Sequence, residues 1–220
     1  VFGLTQLRVE NSFIDYFRES TEIYQGMTLF DDKLGGTLSF DVVVNLPEEE
    51  SFDDGFGDFD DGFDSEFDEA GDDDAYWFSA PKMNQIKAIH EYLDADPQTG
   101  KVLSFGAVIQ LAEKRNGFEP IDGLLWAILY SRIPEPLKDT VLFPFISIED
   151  NQTRFNVRVI ESDEDLKRDE LLRRIERGVE QEFNLADEDV RLTGILVMYN
   201  NVLQSLFQSQ IMTLGAVFIA

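Results

Sequence analysis

His90 is the only histidine in this 220-residue chain, and cysteine is absent. An imidazole-rich or thiolate metal site, a thiol nucleophile and a disulfide all need residues that are not there. A Ser-His-Asp triad would have to rest on this one imidazole. His90 lies between Ile89 and Glu91 in an amphipathic stretch, which reads as a solvent-edge histidine on a helix rather than a general base. No Gly-x-Ser-x-Gly elbow, no phosphate-cradling glycine loop with lysine and no dinucleotide fingerprint occurs. Carboxylate pairs are uninformative among 44 Asp and Glu residues, because any two could be matched to a glycosidase geometry. The oxygen-rich run Asp58-Phe-Asp-Asp-Gly-Phe-Asp-Ser-Glu66 lacks the ligand spacing of a calcium loop and reads as a zone of diffuse cation condensation. The expectation is therefore a chain that is not an enzyme, with no catalytic, cofactor-binding or metal-binding residue, and with substrate contacts that no motif identifies.

Charge excludes further classes. Eighteen Lys and Arg stand against the 44 acids, a formal net charge of -26, which repels phosphate backbones and anionic head groups, so nucleic acid is not an expected partner. Fifteen of the acids fall in residues 48–74, where there is no Lys or Arg, so the rest of the chain is only ordinarily acidic. Residues 48–75 are built from Asp, Glu, Gly and Phe and read as a flexible acidic insertion that cannot offset chain entropy by burial. Within it Phe52, Phe56, Phe59, Phe63 and Phe67 recur at helical spacing, although Gly55, Gly57 and Gly62 oppose a helix in isolation. An alternative function follows from this segment: an extracytoplasmic interaction module that recruits a basic partner or cations.

The elements that would carry any site follow from periodicity. Residues 1–36 read as a lead-in with a short helix from about Ile23 to Leu34. Leu38, Phe40, Val42, Val44 and Leu46 alternate as a half-buried strand stopped by Pro47. Ser79 and Pro81 open a helix with Met83, Ile86, Ile89 and Leu93 on one stripe, running to about Asp96. A turn at 97–100 leads to a short strand at 101–103. Ser104 caps a helix with Val108, Leu111, Ala112 and Arg115 on one side, ended by Gly117. Asp122 caps another, with Leu125, Ile128 and Leu129 inward and Pro134 and Pro136 closing it. Residues 142–148 read as a strand, Asn151 as a turn, and Phe155, Val157 and Val159 mark a second alternating strand at 154–160. Ser162 and Asp165 form a capping box before a helix at 166–183 bearing Leu171, Ile175, Val179 and Phe183. A strand at 190–198 and a helix at 201–220 follow.

Without the insertion this order contains two β-α-β units, the arithmetic of a ferredoxin-like α+β sandwich with extra helices. No signal peptide is expected within residues 1–220, which hold no run of 18 apolar residues. The uncharged run 211–220 reads as the first half of a membrane span.

Both ends carry a family resemblance. Leu7-Arg-Val-Glu-Asn-Ser-Phe-Ile-Asp-Tyr-Phe17, Ser20-Thr-Glu-Ile-Tyr24 and Asp31-Asp-Lys-Leu-Gly-Gly36, leading into Leu38-Ser-Phe-Asp-Val-Val-Val44, resemble the start of an extracytoplasmic domain in RND (resistance-nodulation-division) superfamily exporters of the MMPL type, more the second such domain than the first. Tyr199-Asn-Asn-Val-Leu-Gln-Ser-Leu-Phe-Gln-Ser-Gln-Ile211 is similar to the segment that re-enters the membrane in those proteins. The resemblance implies a porter-like domain over 37–200, preceded by a lead-in from a membrane helix (1–36) and followed by a helix into the next span (201–220). It also implies proton-driven export of hydrophobic or amphiphilic compounds, lipids among them, at the periplasmic face of a bacterial inner membrane. The implied partners are the cargo molecule, the protein's own transmembrane domain, a sister periplasmic domain, adaptor proteins and further copies in a homo-oligomer. The cargo would travel between subdomains or along an apolar cleft they form, since lipid-like molecules need walls shielded from water. The insertion at 48–75 has no counterpart in that pattern.

Overall fold

The computed structural model describes residues 17–46, 77–117, 119–121, 123–163 and 165–219. The acidic segment, its five phenylalanines, Pro47 and the Asp122 cap lie outside the described residues, as does the resemblance-bearing stretch before Phe17. The described chain runs α1 (Glu22–Leu34), β1 (Leu38–Asn45), α2 (Ala80–Asp94), β2 (Thr99–Leu103), α3 (Phe105–Arg115), α4 (Gly123–Arg132), α5 (Glu135–Val141), β3 (Ile146–Ser147), β4 (Gln152–Val159), α6 (Arg168–Glu182), β5 (Val190–Thr193) and α7 (Ile195–Ile219). Strands order as β2-β4-β1-β5, with β3 pairing β4. Setting the two-residue β3 aside, the four main strands stand in the sheet as second, third, first and fourth. That is the strand order of a ferredoxin-like fold, and the α+β class expected from the sequence is the one observed.

The chain divides into two compact units. The first holds α1, most of β1, the end of α2, β2, most of β4, α6, β5 and α7. β2 and β4 pair antiparallel, Val102 opposite Val157 and Leu103 opposite Asn156. The alternation of β1 and β4 sends Phe40, Val42, Phe155, Val157 and Val159 into a fully buried layer. Leu171, Ile175 and Val179 of α6 are equally buried, as their spacing requires. Each such side chain contributes about 1.5–3 kcal/mol of burial. α6 and α2 approach closely because Gly178 has no side chain: a Cβ there would run into the Tyr92 hydroxyl.

α1 is capped by Thr21, whose hydroxyl accepts from the Tyr24 N–H at 3.3 Å, and it ends at Gly35 with φ +76°. Gly35 is required twice over, by that left-handed backbone and by the Gly100 carbonyl, 2.6 Å from where a Cβ would sit. Buried Asp31 then fastens the helix end. Its carboxylate accepts from the N–H groups of Thr37 (3.1 Å), Glu161 (3.1 Å) and Ser162 (2.7 Å).

The second unit comprises Val44–Ile89 and Ser104–Arg154. Its core is aromatic: Phe78 meets Tyr130 at 4.7 Å between ring centroids and Phe105 at 6.0 Å, and Phe105 meets Trp126 at 5.9 Å. Trp77 donates from Nε1 to Asn151 Oδ1 at 2.9 Å, and the Asn151 amide donates to the Leu46 carbonyl at 2.8 Å. Asn151 takes a positive φ of 52°, as its turn requires. Lys138 is buried with its ammonium 4.0 Å above the Tyr130 ring and 3.0 Å from Glu135.

Several local expectations are corrected. α3 buries Phe105, Ile109 and Glu113, which are spaced four apart, and leaves Leu111 61% exposed: Phe105 joins the aromatic cluster, and Lys87 meets Glu113 at 2.6 Å on the same face. α4 turns Trp126 and Tyr130 inward, leaving Leu125 and Leu129 at the surface, since the aromatic cluster outcompetes the leucines for the core. Pro134 and Pro136 open α5 as well as closing α4, and the apolar run 142–148 supplies a turn and only two strand residues. The capping box at Ser162 and Asp165 does not form. Asp31 engages the Ser162 N–H, Asp163 Oδ1 accepts from the Asp165 N–H at 3.0 Å, and α6 starts later, at Arg168. β5 stops after four residues, at Gly194 with φ +108°, and α7 occupies the remainder of the expected strand.

Candidate functional site

The open groove beside β5 and α7, about 540 Å3 in volume, is built by a strand-to-helix break. β5 ends because Gly194 adopts a backbone conformation that L side chains rarely reach, and a Cβ there would lie 3.2 Å from Phe40 Cα. The chain then turns directly into α7. Leu196 is its buried anchor, and Asn200 donates from Nδ2 to Asp169 Oδ1 of α6 at 3.2 Å. Tyr199 lies 5.9 Å from the Arg168 guanidinium. Arg168 is itself fixed in the interior by Glu161 at 2.8 Å, and Thr37 donates to the other oxygen of that carboxylate at 3.2 Å. α7 thus leaves the sheet along a set direction, with one side held by α6 and another side uncovered.

Leu192, Val197, Met198, Val202 and Leu206 supply the apolar wall of the groove, and Thr193, Asn201 and Ser205 supply its polar atoms. None of the lining residues is charged. The site contains no general base, no nucleophile activated by one, and no carboxylate. Its volume lies in the range of small-molecule sites, and its chemistry suits an alkyl chain or ring system beside one or two hydroxyl or amide contacts. Thr193–Ala220 as a whole carries no charged residue over 28 positions, in a chain of net charge -26.

No protein-family model, no curated protein and no solved structure matches this chain.

His90, expected at the solvent edge, is only 5% exposed. α2 buries positions 86, 89, 90 and 93 together, an arc wide enough to take in the residue next to its apolar stripe. Burial holds the imidazole below its usual pKa, against the opposing pull of the Asp94 and Glu91 carboxylates. It is not among the groove residues. The oxygen-rich run 58–66 lies outside the described residues, and among the described residues no group of three or more potential ligands could hold a metal ion. The groove is hidden from a sequence reading that continues the strand to Met198 and so gives Val197 and Met198 to a sheet. The signal that points to it is Gly194 followed by an uncharged run far longer than a strand. No helix among the described residues is long and apolar enough to cross a membrane.

Proposed function

We propose that this chain is the extracytoplasmic porter-like domain of an RND-superfamily exporter of the MMPL type, forming part of the path of a hydrophobic or amphiphilic compound. In this reading it stands at the periplasmic face of a bacterial inner membrane. It performs no turnover, and it moves cargo through rearrangements coupled to proton movement in the family's membrane helices. The resemblance at both ends motivates the family. The observation that carries the cargo class is the uncharged groove of about 540 Å3, set in a run of 28 residues without a charge. The lining offers no charged group to pair with an ion or a highly charged metabolite, whereas apolar walls with a few amide and hydroxyl atoms suit an amphiphile. The direct test is saturable binding of a neutral fluorescent monoacylglycerol. Val202→Asp places a charge in the groove at an already exposed position, and should weaken binding about tenfold or more, the equivalent of about 1.4 kcal/mol. Binding unchanged by this variant, or no saturable binding by the parent chain, would reject the reading.

A further inference from the structure

We infer that the groove takes a facial amphiphile, an uncharged molecule with an apolar face along its length and hydroxyl or amide groups recurring along one edge, and that Asn201 and Ser205 select it. The inference rests on the amphiphile reading of the groove and narrows its cargo class. The lining falls into two rows with a period of four. Gly194, Met198, Val202 and Leu206 form one row, and Thr193, Val197, Asn201 and Ser205 form the other, with Leu192 of β5 beside them. Residues four apart lie one above another on a helix, so from residue 197 onward the two rows run side by side along α7. The first row carries three large apolar side chains over about 12 Å at the rise of an α-helix. The second carries an amide and a hydroxyl about 6 Å apart, and the Thr193 hydroxyl precedes them where β5 ends. A molecule with one polar head and a plain tail would lay methylene groups against part of that second row. Polar groups recurring along one edge match both rows at once.

The polar row is also available to a ligand. Thr193, Asn201 and Ser205 are exposed, and among the described residues their side chains make no hydrogen bond. Asn200, the next residue along, differs in both respects, being buried with its amide committed to Asp169 at 3.2 Å. Asn200 therefore anchors the helix, and Asn201 is left to the groove. Its amide offers two donors and an acceptor, and the Ser205 hydroxyl both donates and accepts, so each can meet a neutral hydroxyl or amide in either sense. A carboxylate or phosphate on the same edge would lose water and gain no counter-ion, since no lining residue is charged.

Titration calorimetry of the full chain with two neutral steroid alcohols tests this. One is a bile alcohol with three ring hydroxyls on one face, and the other is the same molecule without ring hydroxyls. The parent should bind the trihydroxy compound roughly tenfold more tightly, the effect of one or two hydrogen bonds. Asn201→Leu with Ser205→Ala should erase that preference, each single variant losing part of it. Affinity for the compound without ring hydroxyls should be unchanged, which also shows that the variants are folded. Equal affinities in the parent, both weakened by Val202→Asp, overturn the inference and leave the amphiphile reading standing. A preference that survives in the double variant overturns it as well. Binding of neither compound sinks the inference and the amphiphile reading together.

Discussion

The Arg168 guanidinium and the Glu161 carboxylate meet at 2.8 Å with both side chains almost wholly buried, and Glu161 also accepts from Thr37 while its N–H donates to Asp31. This pair joins the end of α1, the turn after β4 and the start of α6, and so positions the helix against which α7 sets out. Removing one partner leaves a charge stranded in the interior. Glu161→Gln or Arg168→Met should each lower stability by about 3–5 kcal/mol in urea unfolding, and the double variant Glu161→Leu/Arg168→Met should recover much of that loss. A loss under about 1 kcal/mol for both single variants would show that the pair does not hold this corner.

α2 and α6 approach across Gly178, where a methyl group would meet the Tyr92 hydroxyl. Gly178→Ala should therefore destabilise by about 1–3 kcal/mol despite alanine's better helix propensity. Tyr92→Phe should rescue part of the loss, giving a measurable coupling in a double-mutant cycle. Additive effects would show that the two residues do not share this contact.

The rotation of α3 makes a ranking that reverses the one expected from sequence. Ile109→Ala should cost about 2–5 kcal/mol, because Ile109 is buried. Leu111→Ala should stay within about 0.5 kcal/mol of the parent, because its side chain is mostly in solvent. Chemical denaturation of the two variants side by side decides which face is inward.

His90 supplies a pH dependence with a definite sign. Its imidazole is held below the ordinary value of 6.5 by burial, so the unfolded chain takes up the proton first as pH falls. The associated stability is complete above pH 6.5 and is lost as pH falls through 6.5 toward the lower folded value. Thermal unfolding between about pH 8 and pH 5.5 should show a decline that is shallower in His90→Gln, a window set by the histidine reference value and above the ordinary carboxylate range. Identical slopes in parent and variant would show that His90 does not titrate differently on folding.

The elements legible in the sequence are those whose partners impose a single period. β1 and β4 alternate, with Val43 the one apolar residue on the other face of β1, and α2 and α6 repeat at helical spacing, so their buried faces and the α+β class follow from pattern, whereas the strand order does not. α3 and α4 mislead because apolar residues stand on more than one of their faces. The inward faces are those that meet distant aromatic residues, Phe105 of α3 and Tyr130 of α4 against Phe78. The run 190–198 is apolar under either period, and only the backbone of Gly194 separates strand from helix. The groove depends on that same break, so the site lies in the part of the chain where pattern is least decisive. The absence of charge from 193 to 220 is fully visible in the sequence and becomes informative once α7 is seen to leave that stretch uncovered.

The central claim is that this chain carries an amphiphile in the groove beside β5 and α7. It is tested most directly by native mass spectrometry of the chain purified gently from cells, without lipid-stripping steps. The account predicts a co-purifying lipid or amphiphile whose occupancy falls when Val202→Asp is introduced. A mass free of any adduct under conditions that preserve the fold, or an adduct retained equally by the variant, would contradict it.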